Sequence, residues 1–119
     1  GKIMQMYLQK GFYGGKRYLK SETIGKFNQR YFSDEKVRRG LGFDKPQLDP
    51  EVKATCGCVS DESFGHSGFT GTYTWADPVS GLVYVFLSNR VHPNMENRGL
   101  IERNMRTKIQ QVIQDAILD

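Results

Sequence analysis

Apolar side chains recur with helical spacing at both ends of this chain and with strand-like density in between. Near the N-terminus, residues 3–10 place Ile3, Met4, Tyr7 and Leu8 on one helical face, and Gly11 follows as a C-cap glycine would. Gly14-Gly15, at the centre of 12–19, predicts a tight turn or small hairpin. Ser21 then reads as an N-cap with Glu22 in the first turn of a helix whose Ile24, Phe27 and Tyr31 share a side, weakened by Gly25. Residues 1–32 form a helical segment on this reading. Residues 33–63 follow as a loop region with many charges, Pro46 and Pro50, and one candidate short strand, Gly40-Leu41-Gly42-Phe43.

The strongest pattern lies further on. Phe64 to Ala76 is rich in Phe, Thr, Tyr and Trp, Asp77-Pro78-Val79-Ser80-Gly81 is a turn signal, and Leu82 to Asn89 is β-branched and aromatic. Together they predict an antiparallel β-hairpin over 64–90. Its second run is apolar at nearly every position, so both of its faces should be covered. Residues 99–118 read as one amphipathic helix: Ile101, Met105, Ile109, Val112, Ile113, Ala116 and Ile117 form the apolar stripe, opposite Arg103, Arg106, Lys108, Gln110 and Gln114. The fold class expected is α+β, an antiparallel sheet with a C-terminal amphipathic helix packed on it and helices at the N-terminus.

Composition adds limits. The 119 residues are 38% hydrophobic and 25% charged, an ordinary globular balance. No apolar run approaches the length of a membrane helix, and no signal peptide is visible. The net charge of +4 comes from 17 basic and 13 acidic residues. The basic ones are scattered rather than gathered in runs, which argues against a nucleic-acid partner. Cys56 and Cys58 flank Gly57. So short a loop strains a disulfide, and no further ligands signal a metal site, so the pair reads as two loop thiols; no metal or cofactor is expected.

Candidate chemistry centres on Phe64-Gly65-His66-Ser67-Gly68-Phe69-Thr70-Gly71. Glycine is unusual inside a strand and often marks close approach of a ligand or another backbone. His66 can hold or move a proton, the Ser67 hydroxyl can donate or accept, and exposed backbone N–H groups can hold an oxyanion. Equally, a glycine-rich strand can bend around a bulky neighbour with no chemistry attached. The residues leave both readings open.

Gly65-His66-Ser67-Gly68-Phe69-Thr70-Gly71 resembles the third active-site motif of serine β-lactamases and penicillin-binding proteins, which is Lys-Thr-Gly in many members and His-Thr-Gly or His-Ser-Gly in others. Leu87-Ser88-Asn89-Arg90-Val91-His92-Pro93-Asn94 after the strand looks like the class C branch. Gly15 to Thr23 and Gly40-Leu41-Gly42-Phe43 resemble further stretches of the family, in the same order. The resemblance implies that His66 stands at the motif's cation or proton relay, with a charge that depends on its surroundings. It implies that Ser67 hydrogen-bonds substrate, that Gly68 lets substrate lie flat against the strand, and that the Phe69 N–H is one oxyanion-hole donor. Asn94 and, one step off a simple match, Arg98 fall near positions that rim the pocket for a substrate carboxylate.

The family's nucleophile lies in a Ser-x-x-Lys motif that precedes the region matched. Here that spacing occurs at Ser33-Asp34-Glu35-Lys36, late in the chain and charged throughout, which reads as a helix end or loop. The chain is therefore expected to be an incomplete part of a β-lactamase/transpeptidase-like fold, one wall of an active site without its nucleophile and inactive alone. The resemblance implies a β-lactam, peptidoglycan-peptide or ester substrate for the full-length domain and a bacterial periplasm or cell-envelope location. A non-catalytic peptidoglycan- or partner-binding module is the alternative. Exposed strand edges around Val83, Val85 and Leu87 suggest a homo-oligomer or strand-exchanged dimer.

Overall fold

The computed structural model of the chain describes residues 1–34 and 36–118, without the side chain of Leu118. Its centre is an antiparallel sheet of three strands, β3 (Phe64–Ser67), β4 (Tyr73–Asp77) and β5 (Leu82–Phe86), in that spatial order. The run from Phe64 to Ala76, expected to be one arm of a hairpin, is two strands. Gly68 to Thr72 turn the chain back, with the Gly68 N–H bonded to Thr72 O at 2.7 Å. The anticipated turn joins β4 to β5, and the Asp77 carboxylate accepts the Val79 N–H at 2.9 Å.

Strand alternation divides the sheet into two faces. Phe64, Ala76 and Val83 turn to the first helix, α1 (Lys2–Leu8), and form a cluster with Met4, Tyr7, Leu8 and Phe43. Tyr73, Trp75 and Tyr84 turn to the last helix, α4 (Met105–Leu118), and pack with Ile109 and Ile113. β5 is less covered than its composition suggested: Val85 is 40% and Leu87 80% exposed. The apolar run there reflects strand propensity on a partly open face.

The helix ends depart from the sequence reading in instructive ways. Helix α1 closes in a Schellman motif, but Lys10 takes the left-handed position (φ 51°) and Gly11 follows it, its N–H reaching Met6 O at 2.9 Å. The two following strands, β1 (Phe12–Tyr13) and β2 (Lys16–Arg17), form the small hairpin around Gly14-Gly15. In α2 (Ser21–Asn28), Ser21 is the first helical residue and Lys20 the cap, with no side-chain cap bond; Tyr31 lies beyond the helix. Gly40-Leu41-Gly42-Phe43 is a bend rather than a strand. It serves to bring Asp44 onto the edge of β3, where Asp44 and Gly65 exchange both backbone bonds (2.8 and 3.0 Å).

The C-terminal helix is broken in two. The short α3 (Gly99–Glu102) ends before Asn104, whose φ of 52° stops the helix, and α4 follows. Its register is also rotated from the expected stripe. Gln110 (1% exposed) and Gln114 are buried, whereas Val112 is 69% exposed. Hydrogen bonding explains the rotation: Gln110 Oε1 faces the Tyr73 hydroxyl at 3.1 Å and accepts the Cys56 N–H at 3.3 Å. A buried hydroxyl and amide need a partner, and the glutamine supplies it. Cys56 and Cys58, anticipated as thiols, are joined in a disulfide. Gly57 at φ +76° turns the chain between them, and their Cα atoms lie 5.2 Å apart, inside the bridging range.

Candidate active site

The glycine-rich segment forms β3 and the turn that follows it. Gly65 is required by packing: a Cβ there would lie 2.2 Å from both Thr74 O and the Trp75 ring. At Gly68 the one close neighbour of a built Cβ is the Thr72 hydroxyl at 2.3 Å, a side-chain end that can rotate aside. Packing against a bulky neighbour therefore accounts for Gly65, and Gly68 remains with the flanking polar residues as candidate chemistry.

His66 and Ser67 are successive strand residues and so point to opposite faces. His66 pairs across the sheet with Thr74 and lines a groove of about 530 Å³ shared with Gly68, Thr72, Val85 and Phe43. Ser67 pairs with Tyr73, is exposed, and borders a smaller cavity of about 310 Å³ with Arg38, Lys53 and Arg106. Because Gly65 bonds outward to Asp44, the period of two puts the N–H and C=O of Ser67 on the same outer edge. The edge of β3 thus runs past a charged anchor and then lies open. That anchor is firm: buried Asp44 pairs with Arg39 at 3.1 Å and Arg38 at 3.4 Å.

Phe69 is 69% exposed, and its N–H donates to no acceptor among the described residues. The peptide that carries this N–H is held by its carbonyl, Gly68 O, which accepts the Gly71 N–H at 2.9 Å, and the next peptide is held by Arg90, a residue of the Leu87–Asn94 stretch that resembles the family. Its Nε donates to Phe69 O at 2.8 Å, its NH1 to Met95 O and Asn97 O at 3.2 and 3.0 Å, and its guanidinium sits 4.8 Å from the Phe69 ring centre. The Arg90 N–H and the Ser88 hydroxyl both donate to Thr70 O. Arg90 is a positioning residue for the turn, and its signal was present in the Asn89-Arg90 pair that ends the strand. A planar guanidinium with five donors suits that task better than an ammonium.

Asn94 and Arg98 are carried on the segment that Arg90 ties to Phe69, but their side chains engage locally. Asn94 Oδ1 accepts the Glu96 N–H at 2.9 Å, and exposed Arg98 faces Glu102 at 3.5 Å. Neither lines the His66 groove. Ser33 is exposed in an irregular stretch, Lys36 is exposed in a turn, and Glu35 between them lies outside the described residues. Behind the site, burial pushes the Tyr73 hydroxyl pKa well above its usual range, against the pull of nearby Arg106, so Tyr73 stays neutral as part of the core. Among the described residues no group of three or more His, Cys, Asp or Glu could hold a metal ion.

Comparison with known proteins adds to this geometry. The sequence profile of the beta-lactamase family matches residues 13–107, which include β3, the Phe69 turn and Arg90. The chain belongs to the beta-lactamase family. It is 34% identical over 96 residues to the protein named "Putative D-alanyl-D-alanine carboxypeptidase" of Salmonella typhi, and equally to those of the same name in Salmonella paratyphi B and Salmonella newport. The aligned part is 80% of this chain and 22% of each relative. This beta-lactamase-family chain thus spans about a fifth of the length of those relatives. Its α+β architecture, with small antiparallel sheets and helices at both ends, is consistent with part of such a domain. No described helix is long and apolar enough to cross a membrane.

Proposed function

We propose that this chain supplies the third-motif wall of a serine acyl-transfer hydrolase whose nucleophile resides elsewhere in the parent protein. The observation that carries the reading is the end of β3. There His66 faces an open groove, the outer edge at Ser67 is free among the described residues, and the uncommitted Phe69 N–H lies in a turn held by the Gly71 N–H on Gly68 O and by Arg90 on Phe69 O. A substrate lying along that edge would be held by backbone bonds in the manner of an added strand. The parent's serine Oγ attacks the substrate carbonyl, its proton passes to a base, and the Phe69 N–H bonds the oxyanion; the intermediate then collapses, the C–N or C–O bond breaks, and the amine or alcohol leaves with that proton, which leaves an acyl-serine. His66 serves as the proton relay and Ser67 as a hydroxyl contact at the exposed edge. Gly68 lets the substrate lie flat against the strand, and Asn94 and Arg98 rim the approach for a substrate carboxylate. Water then releases the acyl group and regenerates the serine.

The substrate class is a β-lactam, a peptidoglycan peptide or an ester, of which the peptide accords with the carboxypeptidase name of the Salmonella relatives, and the location is the bacterial cell envelope. The 119-residue chain alone is inactive, and Ser33 is not a nucleophile. With Val85 and Leu87 exposed, the isolated chain is also expected to self-associate, which sedimentation across concentrations would report. The deciding experiment is treatment of the full-length parent and of the isolated chain with a fluorescent penicillin, read as intact mass. A single adduct on a parent serine outside this segment supports the enzyme reading. An adduct on Ser33 of the isolated chain overturns it. No adduct on a folded parent moves the assignment to a peptidoglycan- or partner-binding module.

A further inference from the structure

The fold contains a second cavity, of about 460 Å³, that shares no residue with the His66 groove. It lies between α1 and α2 at the opposite end of β3. Apolar wall comes from Tyr7, Leu8 and Ile24, and two cations, Arg30 and Lys45, reach it from the irregular stretch after α2. Lys45 is buried, only 4% exposed, and its ammonium donates to Glu62 O at 2.8 Å. An ammonium has three donors, so two are left over. Arg30 donates through NH2 to Pro46 O, but among the described residues its buried NH1 has no partner, and neither has the buried Oδ1 of Asn28, which lines the same cavity. Asp61 and Glu62 stand exposed at the rim, and neither is within ion-pair distance of Arg30 or Lys45 among the described residues.

Buried donors without acceptors cost free energy, and two like charges at one cavity add to that cost. Burial first, and the neighbouring Arg30 second, hold the Lys45 pKa down to about 8. An anion would satisfy the free donors and neutralise the pair. The apolar wall asks for a carbon body attached to that anion.

We infer that this cavity is a binding site for a small organic acid, whose carboxylate takes Arg30 NH1 and Lys45 Nζ while its apolar part lies against Tyr7, Leu8 and Ile24. A half-turn of the Asn28 amide adds its NH2 as a further donor. The site is separate from the proposed acyl-transfer wall and does not depend on it.

Benzoate is the probe. In an NMR titration of the isotopically labelled 119-residue chain near pH 6.5, saturable shifts are expected at residues 28–30 and 45. Benzyl alcohol should produce none. Arg30→Gln and Lys45→Met should each raise the benzoate Kd at least tenfold, while His66→Ala leaves it unchanged. Far-UV circular dichroism checks that each variant is folded. If Lys45→Met does not fold, the wild-type pH series replaces it: affinity should fall as pH rises through about 8, where Lys45, faced by Arg30, Glu62, Asp61 and Asp77, loses its charge. No saturable shift with benzoate overturns the site. Equal or tighter binding of inorganic phosphate overturns the organic-acid class, and unchanged affinity in Arg30→Gln overturns the assignment of the anion to this cavity.

Discussion

The two faces of the sheet are built on different terms. Toward α4, Tyr73 stacks on Trp75 with ring centres 5.7 Å apart, Trp75 Nε1 donates to the buried Ser63 hydroxyl at 3.0 Å, and Gln110 closes over the Tyr73 hydroxyl. That face is the more closely packed, although Gln114 Oε1 is buried there with no partner among the described residues and a cavity of about 310 Å³ opens beside Ser67 and Trp75. Toward α1, packing is tight only at the Phe64 end, where Phe64, Tyr7 and Phe43 meet. Two residues along, His66, Thr74 and Val85 look onto open groove. The contrast places the closest packing on one face, and the chemistry proposed above lies at the open end of the other. The closely packed face fixes β4, β4 fixes β3, and β3 holds His66 and the Phe69 turn where a substrate and the rest of a domain can meet them.

The contrast predicts very different costs for substitutions a few ångströms apart. Trp75→Ala should be the most damaging, losing about 3–5 kcal/mol as a large buried aromatic is removed. For a chain of this size that is much of the total, so urea titration should find the variant largely unfolded. Gln110→Ala should cost about 1–3 kcal/mol, because the Tyr73 hydroxyl and the Cys56 N–H lose a buried acceptor. His66→Ala, on the open face, should shift stability by less than about 0.5 kcal/mol. If Gln110→Ala and His66→Ala cost the same, the two faces are not different in the way described.

Alkaline unfolding sharpens the comparison further. Burial raises the Tyr73 and Tyr84 pKa values above the usual 10.0, so in the folded state both hold their protons where the unfolded chain loses them. Their contribution is complete below about pH 10 and is lost progressively above it. Lys45 acts in the opposite sense: with its pKa lowered to about 8 from 10.5, its charging penalty is relieved between those values, so stability rises there with pH. Thermal melts from pH 7 to 12 should rise modestly from about 8 and then drop above about 10. Tyr73→Phe should blunt the drop and leave the rise, and a melt profile flat throughout would contradict both assignments.

The sequence showed much of this arrangement and missed the parts set by tertiary hydrogen bonding. Asp77-Pro78 and Gly14-Gly15 are local turn chemistry, and the structure turns at both. The helical spacing of Met4, Tyr7 and Leu8 gave most of the packed face of α1, but Ile3, expected on the same face, is 65% exposed at the start of the helix. In α4 the apolar stripe misled, since the rotation that buries Gln110 answers a need of Tyr73, 37 residues away. The Asn104 break was hidden because Asn is one of several residues able to take a left-handed conformation. The motif singled out His66 and Ser67 as candidates but could not say that a strand sends them to opposite faces beside unequal cavities. Arg90 was legible as part of a family-like stretch but not as a positioning residue, because that role depends on three carbonyls brought together by the fold.

The measurement that tests the central claim most directly is the rate of penicillin acylation of the full-length parent carrying His66→Ala, beside its unfolding midpoint. The account predicts acylation slowed by about 10²-fold or more, the scale of a lost proton relay, with the midpoint unchanged. Acylation at the wild-type rate in the folded variant would contradict it, and would show that the open end of this sheet is not where the chemistry takes place.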